Sequence, residues 1–152
     1  MNDCVFFNDT TSQNNWGCHA TTFFSKLKLK SLGFNIKYNI TLHQSLNNNN
    51  IIKLVDNIKI NNIKYIFING EGSLYEQSHI KGKSMIKFIL LLKDIKCNIY
   101  LINSGFDLKS NDNINSFRKC LHTNLHIYLR EPVSIKNFDI FYPDFKTTFQ
   151  PD

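Results

Sequence analysis

The sequence NGEGSLY combines two glycines with a carboxylate at the end of an apolar run. Gly70 and Gly72 would allow positive φ angles and expose backbone N–H groups, and Ser73 can cap a helix or bind an oxygen. Glu71 is a candidate general acid or base and is predicted to lie on a solvent-facing loop. Its charge, with that of Glu76, opposes a phosphate and suits sugar hydroxyls. The alternative is a tight strand-to-helix turn that needs glycine for its conformation alone.

A second polar cluster follows the first apolar run, in the sequence FFNDTTSQNNWGCHATTFF. Gly17 would permit close backbone approach to a ligand. The amide of Asn15 suits sugar hydroxyls or, alternatively, caps the helix that follows. Trp16 either offers a stacking platform for a sugar ring or packs under the edge of the sheet. The polar residues that crowd this strand end are Asn8, Asp9, Asn15, Gly17, Cys18 and His19.

The guanidinium of Arg130, at the end of LHIYLRE, matches the geometry of a carboxylate or a phosphate. The alternative is an ion pair with Glu131 or Asp144. His122 and His126 have i, i+4 spacing, but the segment between them changes from helix to strand. The two rings therefore do not share a face, and no metal site is predicted there.

The chain has 152 residues, a net charge of +6 and four cysteines. Its lysines are spread along the sequence, whereas nucleic-acid binders concentrate basic residues on one element with interleaved aromatics, so we do not expect nucleic acid as a partner. The cysteines form no C-x-x-C pair, which favours reduced thiols over a zinc site or disulfides. No signal peptide is apparent, and the longest apolar stretch, MIKFILLLKDI, is too short to span a membrane. We expect a soluble, cytoplasmic protein, with peripheral association at the inner membrane face as an option.

Strand and helix patterns alternate along the chain. Runs of aromatic and β-branched residues predict strands at CVFF, FNIKYNI, KYIFING, CNIYLINSG, LHIYLRE and FDIFY. Helices are predicted at about residues 18–32, 51–60, 84–95 and 112–121, and after Pro132; LNNNN and GEGSLYEQSHIKGK are predicted loops. In the first helix, Phe23, Phe24 and Leu27 have the spacing of an apolar face.

The alternation predicts a single α/β domain over residues 1–152, with a Rossmann-like parallel sheet of about five to six strands flanked by helices. The loops after Phe7, Asn69 and Leu129 should lie at one edge of this sheet. The candidate residues named above would then lie near one another.

Four segments, in order, resemble the polysaccharide pyruvyl transferase family: NNWGCHATTFFSKL, IFINGEGSLY, IYLREPVSIKNF and IFYPDF. In that family the first segment typically contains Asn-x-Gly-Asp, and the second a Gly-Gly-Gly or Gly-Glu-Gly turn followed by Ser or Thr. The third contains Arg-Asp or Arg-Glu with a Ser a few residues on, and the fourth an Asp after a strand and a proline. The chain departs from the pattern at Cys18, where Asp is commoner.

The resemblance implies two facing Rossmann-type domains, as in GT-B-type glycosyltransferases, of which this chain would be the N-terminal one. It implies transfer of pyruvate from phosphoenolpyruvate to sugar hydroxyls as a ketal, in cell-surface polysaccharide biosynthesis, without a metal or other cofactor. Glu71 would be the catalytic acid or base and Arg130 the ligand of the donor's anionic groups. A saccharide or lipid-linked saccharide acceptor would contact Asn15, Trp16, Gly17, Gly70, Gly72 and Ser73.

The resemblance also implies that a missing C-terminal domain or a second chain supplies the rest of the donor site, so the isolated chain is expected to be inactive. Two alternatives stay open. One is a glycosyltransferase-like half-domain that uses a nucleotide sugar and would release a nucleotide. The other is a non-catalytic Rossmann-like module that binds or scaffolds a partner.

Overall fold

The structure, a computed structural model, describes residues 1–76 and 79–151. Six strands form one sheet: β1 (Asn2–Asp9), β2 (Phe34–Thr41), β3 (Tyr65–Tyr75), β4 (Asn98–Asp107), β5 (Leu125–Leu129) and β6 (Thr147–Phe149). The helices are α1 (Trp16–Ser31), α2 (Leu42–Ser45), α3 (Asn48–Ile60), α4 (His79–Leu92), α5 (Asn111–Arg118) and α6 (Pro132–Phe141).

Neighbouring strands are parallel throughout, in the order β2-β1-β3-β4-β5-β6. The predicted α/β class and Rossmann-like parallel sheet are therefore confirmed. Because the strands are parallel, the segments after Phe7, Asn69 and Leu129 lie at the same edge, as predicted. The order β2-β1-β3-β4-β5 is that of flavodoxin-like doubly wound sheets, in which the winding reverses between β1 and β3. Open α/β sheets bind ligands outside the carboxyl ends of the strands at such a point.

Two apolar clusters hold helices against the two faces of the sheet. The larger contains the buried side chains of α3, α4, α5 and α6, and Phe7 of β1 stacks on Phe88 of α4 with ring centroids 4.1 Å apart. The smaller joins Leu29 of α1 to Cys4, Phe6 and Phe67 on the opposite face. The first strand is thus buried from both sides, as a central strand of a doubly wound sheet must be.

The predicted apolar face of α1 points away from the sheet. Phe23, Phe24 and Leu27 are 52%, 65% and 47% exposed. The buried residues of α1 are instead Thr22 and Leu29. Thr22 belongs to a polar network at the carboxyl edge, so hydrogen bonding rather than apolar patterning sets the rotation of this helix.

The prediction that FDIFY forms the final strand is wrong. These residues continue α6, which has Pro132 at its start, where proline favours a helix. Ser134, Phe138 and Tyr142 are buried at four-residue spacing, whereas Ile140 is 72% exposed. The alternating composition of FDIFY resembles a strand, but the periodicity of burial is that of a helix.

Two predicted loops are shorter than expected. The side chain of Asn47 accepts a hydrogen bond from the Asn49 N–H at 2.9 Å and caps α3, so most of LNNNN belongs to that helix. β3 continues to Tyr75 and α4 begins at His79, so most of GEGSLYEQSHIKGK has regular structure. Gln77 and Ser78, within this predicted loop, lie outside the described residues.

Across the part of the chain that the structure describes, no helix combines the length and the apolar character that crossing a membrane requires.

Candidate functional site

Three adjacent strands each carry an asparagine directly after an apolar run. These residues are Asn8 after VFF in β1, Asn69 after IFI in β3 and Asn103 after YLI in β4. Asn8 Nδ2 donates to the Asn69 carbonyl at 2.6 Å, and Asn69 Nδ2 lies 3.3 Å from the Asn8 carbonyl. Asn103 Nδ2 donates to Asn69 Oδ1 at 2.9 Å. The three amides form a buried polar triad that joins the carboxyl end of β1 to the middle of β3 and of β4.

Around this triad the backbone enters the left-handed region at residues other than glycine. The φ angles are +69° at Asn8, +41° at Glu71 and +51° at Asn103. Asparagine tolerates this conformation, whereas for glutamate it is uncommon. Strained backbone of this kind concentrates at functional sites. The winding reversal of the sheet and the unusual backbone therefore coincide at one edge.

Gly70 and Gly72 do not have the positive φ angles predicted for them; among the described glycines only Gly33 does. Gly70 is buried where a Cβ would lie 2.6 Å from Ser104 Oγ, and Gly72 is half-buried beside the Tyr75 ring. Ser73 is buried in β3, with its Oγ 3.5 Å from Asn8 Nδ2. Gly70 and Ser73 thus lie in the frame of the site rather than on its surface.

Glu71 does not lie on a solvent-facing loop. It belongs to β3 and is half-buried. Its Oε1 accepts a hydrogen bond from Thr10 Oγ1 at 2.5 Å and one from Asn69 Nδ2 at 3.1 Å. Thr10 Oγ1 is in turn 2.7 Å from Thr22 Oγ1 of α1. The carboxylate is therefore fixed by donors from two adjacent strand segments, which is the arrangement that an oriented acid or base requires.

The thiol of Cys18 lies beside this carboxylate. Burial raises the pKa of Cys18, and the charge of Glu71 and a hydrogen bond to it raise the pKa further. The thiol stays protonated and donates toward Glu71, so it lacks the thiolate character of a nucleophile.

Asp9 is the last residue of β1, directly before Thr10, and is almost fully buried. Burial opposes its ionisation, but hydrogen bonds from Lys26, Thr11 and Asn39 outweigh that effect and lower its pKa to about 2. Lys26 of α1 also forms an ion pair with Asp9. These contacts fasten α1 to the sheet.

The loop between β1 and α1 encloses a cavity of about 380 Å³ whose lining includes Asn15, Trp16 and His19. Asn15 Oδ1 accepts hydrogen bonds from the Gly17 and Cys18 N–H groups at 2.9 and 3.3 Å, so Asn15 caps α1. Gly17 is exposed in the first turn of that helix. Trp16 is 90% exposed, which contradicts packing under the sheet edge and leaves its ring accessible for stacking.

Arg130 lies at the carboxyl end of β5, two strands away from β3. Its Nε is 3.2 Å from Glu131 Oε1, so the ion pair considered as an alternative is formed. The structure does not bring Arg130 into the group that surrounds Glu71. The Nε of Arg130 thus pairs with Glu131 and not with Asp144, the other partner considered.

Sequence reasoning missed Thr10, Thr22, Asn69 and Asn103 as members of the site. Three repeats of an apolar run followed by Asn could have revealed the triad. Asn103 Oδ1 is a buried acceptor without a hydrogen-bond partner among the described residues. A donor group of a ligand would satisfy it.

The group of side chains around Glu71 can do two things chemically. It can accept and donate hydrogen bonds with a hydroxylated ligand, and it can exchange a proton at Glu71. Within residues 1–76 and 79–151, no three His, Cys, Asp or Glu side chains are grouped so as to hold a metal ion. Neither the protein-family models, nor the curated proteins, nor the solved structures contain a match to this chain.

Proposed function

We propose that this chain is a saccharide-binding domain of a transferase similar to the polysaccharide pyruvyl transferases, which moves pyruvate from phosphoenolpyruvate to two sugar hydroxyls as a ketal. The observation that carries the proposal is the position of Glu71. Its carboxylate is oriented by Thr10 and Asn69 at the point where the winding of the sheet reverses.

In the proposed reaction the Glu71 carboxylate accepts the proton of the attacking hydroxyl. One proton adds to the methylene carbon of phosphoenolpyruvate, and the cationic carbon that results is attacked by one sugar oxygen. The C–O bond to phosphate then breaks, and the second sugar oxygen forms the second bond of the ketal. The two sugar hydroxyls lose two protons in total. One of them offsets the proton that converts the methylene carbon into a methyl group, and the other leaves with phosphate.

The acceptor sugar is proposed to contact the exposed ring of Trp16 and the polar loop that contains Asn15 and Gly17. An aromatic ring accessible on one side is suited to the apolar face of a pyranose. Gly70, Gly72 and Ser73 shape the backbone beneath it. Asn103 Oδ1 supplies an acceptor for a sugar hydroxyl.

Arg130 is proposed to bind the carboxylate or phosphate of the donor. In the absence of ligand it lies against Glu131, so an anionic donor would have to compete with that carboxylate. Further cations are needed for useful affinity, and we propose that a facing domain or a second chain provides them. The exposed Phe23, Phe24 and Leu27 of α1 favour such an assembly over a free-standing module.

The emission of Trp16 tests this proposal, because it is the one tryptophan of the chain. We expect a panel of neutral disaccharides, including cellobiose, lactose and maltose, to contain members that change the emission saturably at millimolar concentrations. Glu71→Gln should weaken that binding about fivefold, and Asn115→Ala, an exposed helical site in α5, should leave it unchanged.

If no disaccharide changes the emission, the proposal fails. A saturable response to UDP-glucose with release of UDP would instead support the nucleotide-sugar alternative.

A further inference from the structure

A second cavity, of about 510 Å³, opens at the carboxyl ends of β3 and β4 beside the first turn of α6. Its volume lies within the range of roughly 300–1,000 Å³ typical of small-molecule sites. The lining includes Tyr75, Phe106, Asp107, Glu131, Val133 and Asn137. None of these residues belongs to the group of side chains around Glu71.

One wall of this cavity is a fixed aromatic ring. The hydroxyl of Tyr75 lies 3.2 Å from both carboxylate oxygens of Glu131. The ring lies over Gly105, where a Cβ would be only 2.3 Å from the Tyr75 hydroxyl oxygen. Val133 is 58% exposed at the rim, and Phe106 is buried beneath it. The apolar surface of the cavity therefore comes mainly from the Tyr75 ring and Val133.

The polar part of the lining has an excess of negative charge. The lining contains three carboxylates, Glu76, Asp107 and Glu131, and one cation, Lys109, which pairs with Asp107 at 3.3 Å. Behind the lining, Arg130 pairs with Glu131, so the carboxylates still outnumber the cations. Hydrogen bonds from the Lys109 backbone and from Ser110, then Asn113, lower the pKa of Glu76 to about 2, so this carboxylate is ionised at neutral pH. Carboxylates accept hydrogen bonds from hydroxyl groups, and like charges disfavour an anionic ligand.

We propose that this cavity is a saccharide subsite that binds a neutral sugar ring and rejects uronic acids. The inference rests on the proposed function, because it takes the reacting end of the same acceptor to lie at Glu71. The lining of this cavity begins at Tyr75, four residues beyond Glu71 in β3, and extends to Val133 and Asn137 of α6. A ligand that fills both places is therefore longer than one ring, and the acceptor is an oligosaccharide.

Binding of the purified chain to an array of neutral oligosaccharides and their uronate-containing counterparts tests the subsite. Neutral members should bind at least tenfold more tightly than matched uronates. Val133→Trp, which fills the cavity, should weaken neutral binding about tenfold, whereas Ile140→Trp, an exposed site on the same helix, should not. Asp107→Asn should reduce the discrimination against uronates about fivefold, and the exposed Asp56→Asn on α3 should leave it unchanged.

The two proposals fail differently in this experiment. If Glu71→Gln weakens binding while Val133→Trp and Asp107→Asn leave affinity and discrimination unchanged, the subsite is overturned and the proposed function is retained. Equal affinity for neutral and uronate members would also overturn it. Absence of binding to every member of the array would remove the proposed function, and the subsite with it.

Discussion

The carboxylate of Glu71 is held by Thr10, which directly follows β1, and by Asn69 in the middle of β3. Its own backbone lies in the left-handed region, which costs conformational free energy in a residue other than glycine. A side chain that served only to turn the chain would not need either feature. At the scale of single residues, the strongest argument for function is thus the orientation of this one group.

Replacing Glu71 with Gln should lower the free energy of unfolding by about 1 kcal/mol, because two hydrogen bonds to a charged acceptor become bonds to a neutral one. For a chain of this length that corresponds to a melting temperature about 2–4 °C lower. Calorimetry measures the change, and a double-mutant cycle with Thr10→Val should show that the two losses are not additive. Strict additivity would mean that Thr10 does not hold the carboxylate.

Asp9 should make the fold sensitive to acid. Its pKa is about 2 in the folded chain against an ordinary value of 3.8. A lowered pKa means that the ionised form stabilises the fold above about pH 4 and that this contribution is lost as the pH falls toward 2. The loss amounts to about 2 kcal/mol.

Urea unfolding at pH 5 and pH 2 measures this effect. Asp9→Asn should show a smaller loss of stability between the two pH values than the natural chain, by about 2 kcal/mol, while the exposed Asp56→Asn retains the full dependence. An Asp9→Asn variant as acid-sensitive as the natural chain would contradict the assignment.

At the scale of elements, the strands position the residues of the site, and a glycine sets how closely α4 approaches β3. A Cβ on Gly82 of α4 would lie 2.5 Å from the carbonyl oxygen of Ser73 in β3. The oxygen belongs to the main chain and the position of a Cβ is fixed by its own backbone, so no side-chain rotation relieves the contact. α4 therefore packs against β3 at a distance that glycine alone permits.

Gly82→Ala should destabilise the chain by roughly 1–3 kcal/mol, although alanine favours a helix. The matched control is Gly17→Ala in the first turn of α1, where a Cβ would meet only Asn15 Oδ1 at 3.2 Å. We expect the control to be neutral or slightly stabilising. Thermal unfolding of the two variants compares them, and equal melting temperatures would show that the α4–β3 contact is looser than described.

Predictability from sequence differs among these elements for physical reasons. The strand CVFF and the run KYIFING were predicted correctly because a central parallel strand is apolar on both faces. FDIFY was assigned to a strand because its alternation hides a four-residue burial period that begins at Pro132. Phe23 and Phe24 form an apolar stripe that the described fold does not cover, because Thr22 and Lys26 make the contacts that orient α1.

The order of the elements predicts the edge of the sheet at which the candidate residues lie, but not the contacts among them. The parallel sheet brings Asn15, Trp16 and Glu71 to one edge, as expected from the order of the elements. Thr10 and Asn103 were missed because their roles arise from contacts between strands distant in sequence. The positive φ angles predicted for Gly70 and Gly72 are not found, and Glu71, between them, takes the left-handed conformation instead.

At the scale of the whole molecule, the helices are distributed unevenly over the sheet. α3 to α6 cover one face, while α1 packs on the other, where Tyr100 stacks between Phe67 and His126 with centroids 5.1 and 5.0 Å apart. Tyr100 and His126 are only half-buried. This aromatic row and the outer stripe of α1, formed by Phe23, Phe24 and Leu27, are apolar surfaces that the described fold leaves partly open.

With phosphoenolpyruvate and a neutral oligosaccharide, the 152-residue chain on its own should release no phosphate above background. Arg130, already paired with Glu131, would contribute on the order of 1 kcal/mol, whereas even a submillimolar site needs roughly 5 kcal/mol. A colorimetric phosphate assay checks this expectation. Robust release without a second polypeptide would show that the residues described here suffice for the donor site.

The central claim is that the carboxyl edge of β1, β3 and β4 binds a saccharide, and a ¹H–¹⁵N correlation spectrum recorded during titration with a neutral oligosaccharide selected from the array tests it most directly. We expect saturable shifts of the amide signals of Thr10, Trp16, Glu71 and Asn103, with no change at Asn62 and Lys96, which line a cavity away from this edge. Shifts confined to that other cavity, or none at Glu71 at saturation, would contradict the account.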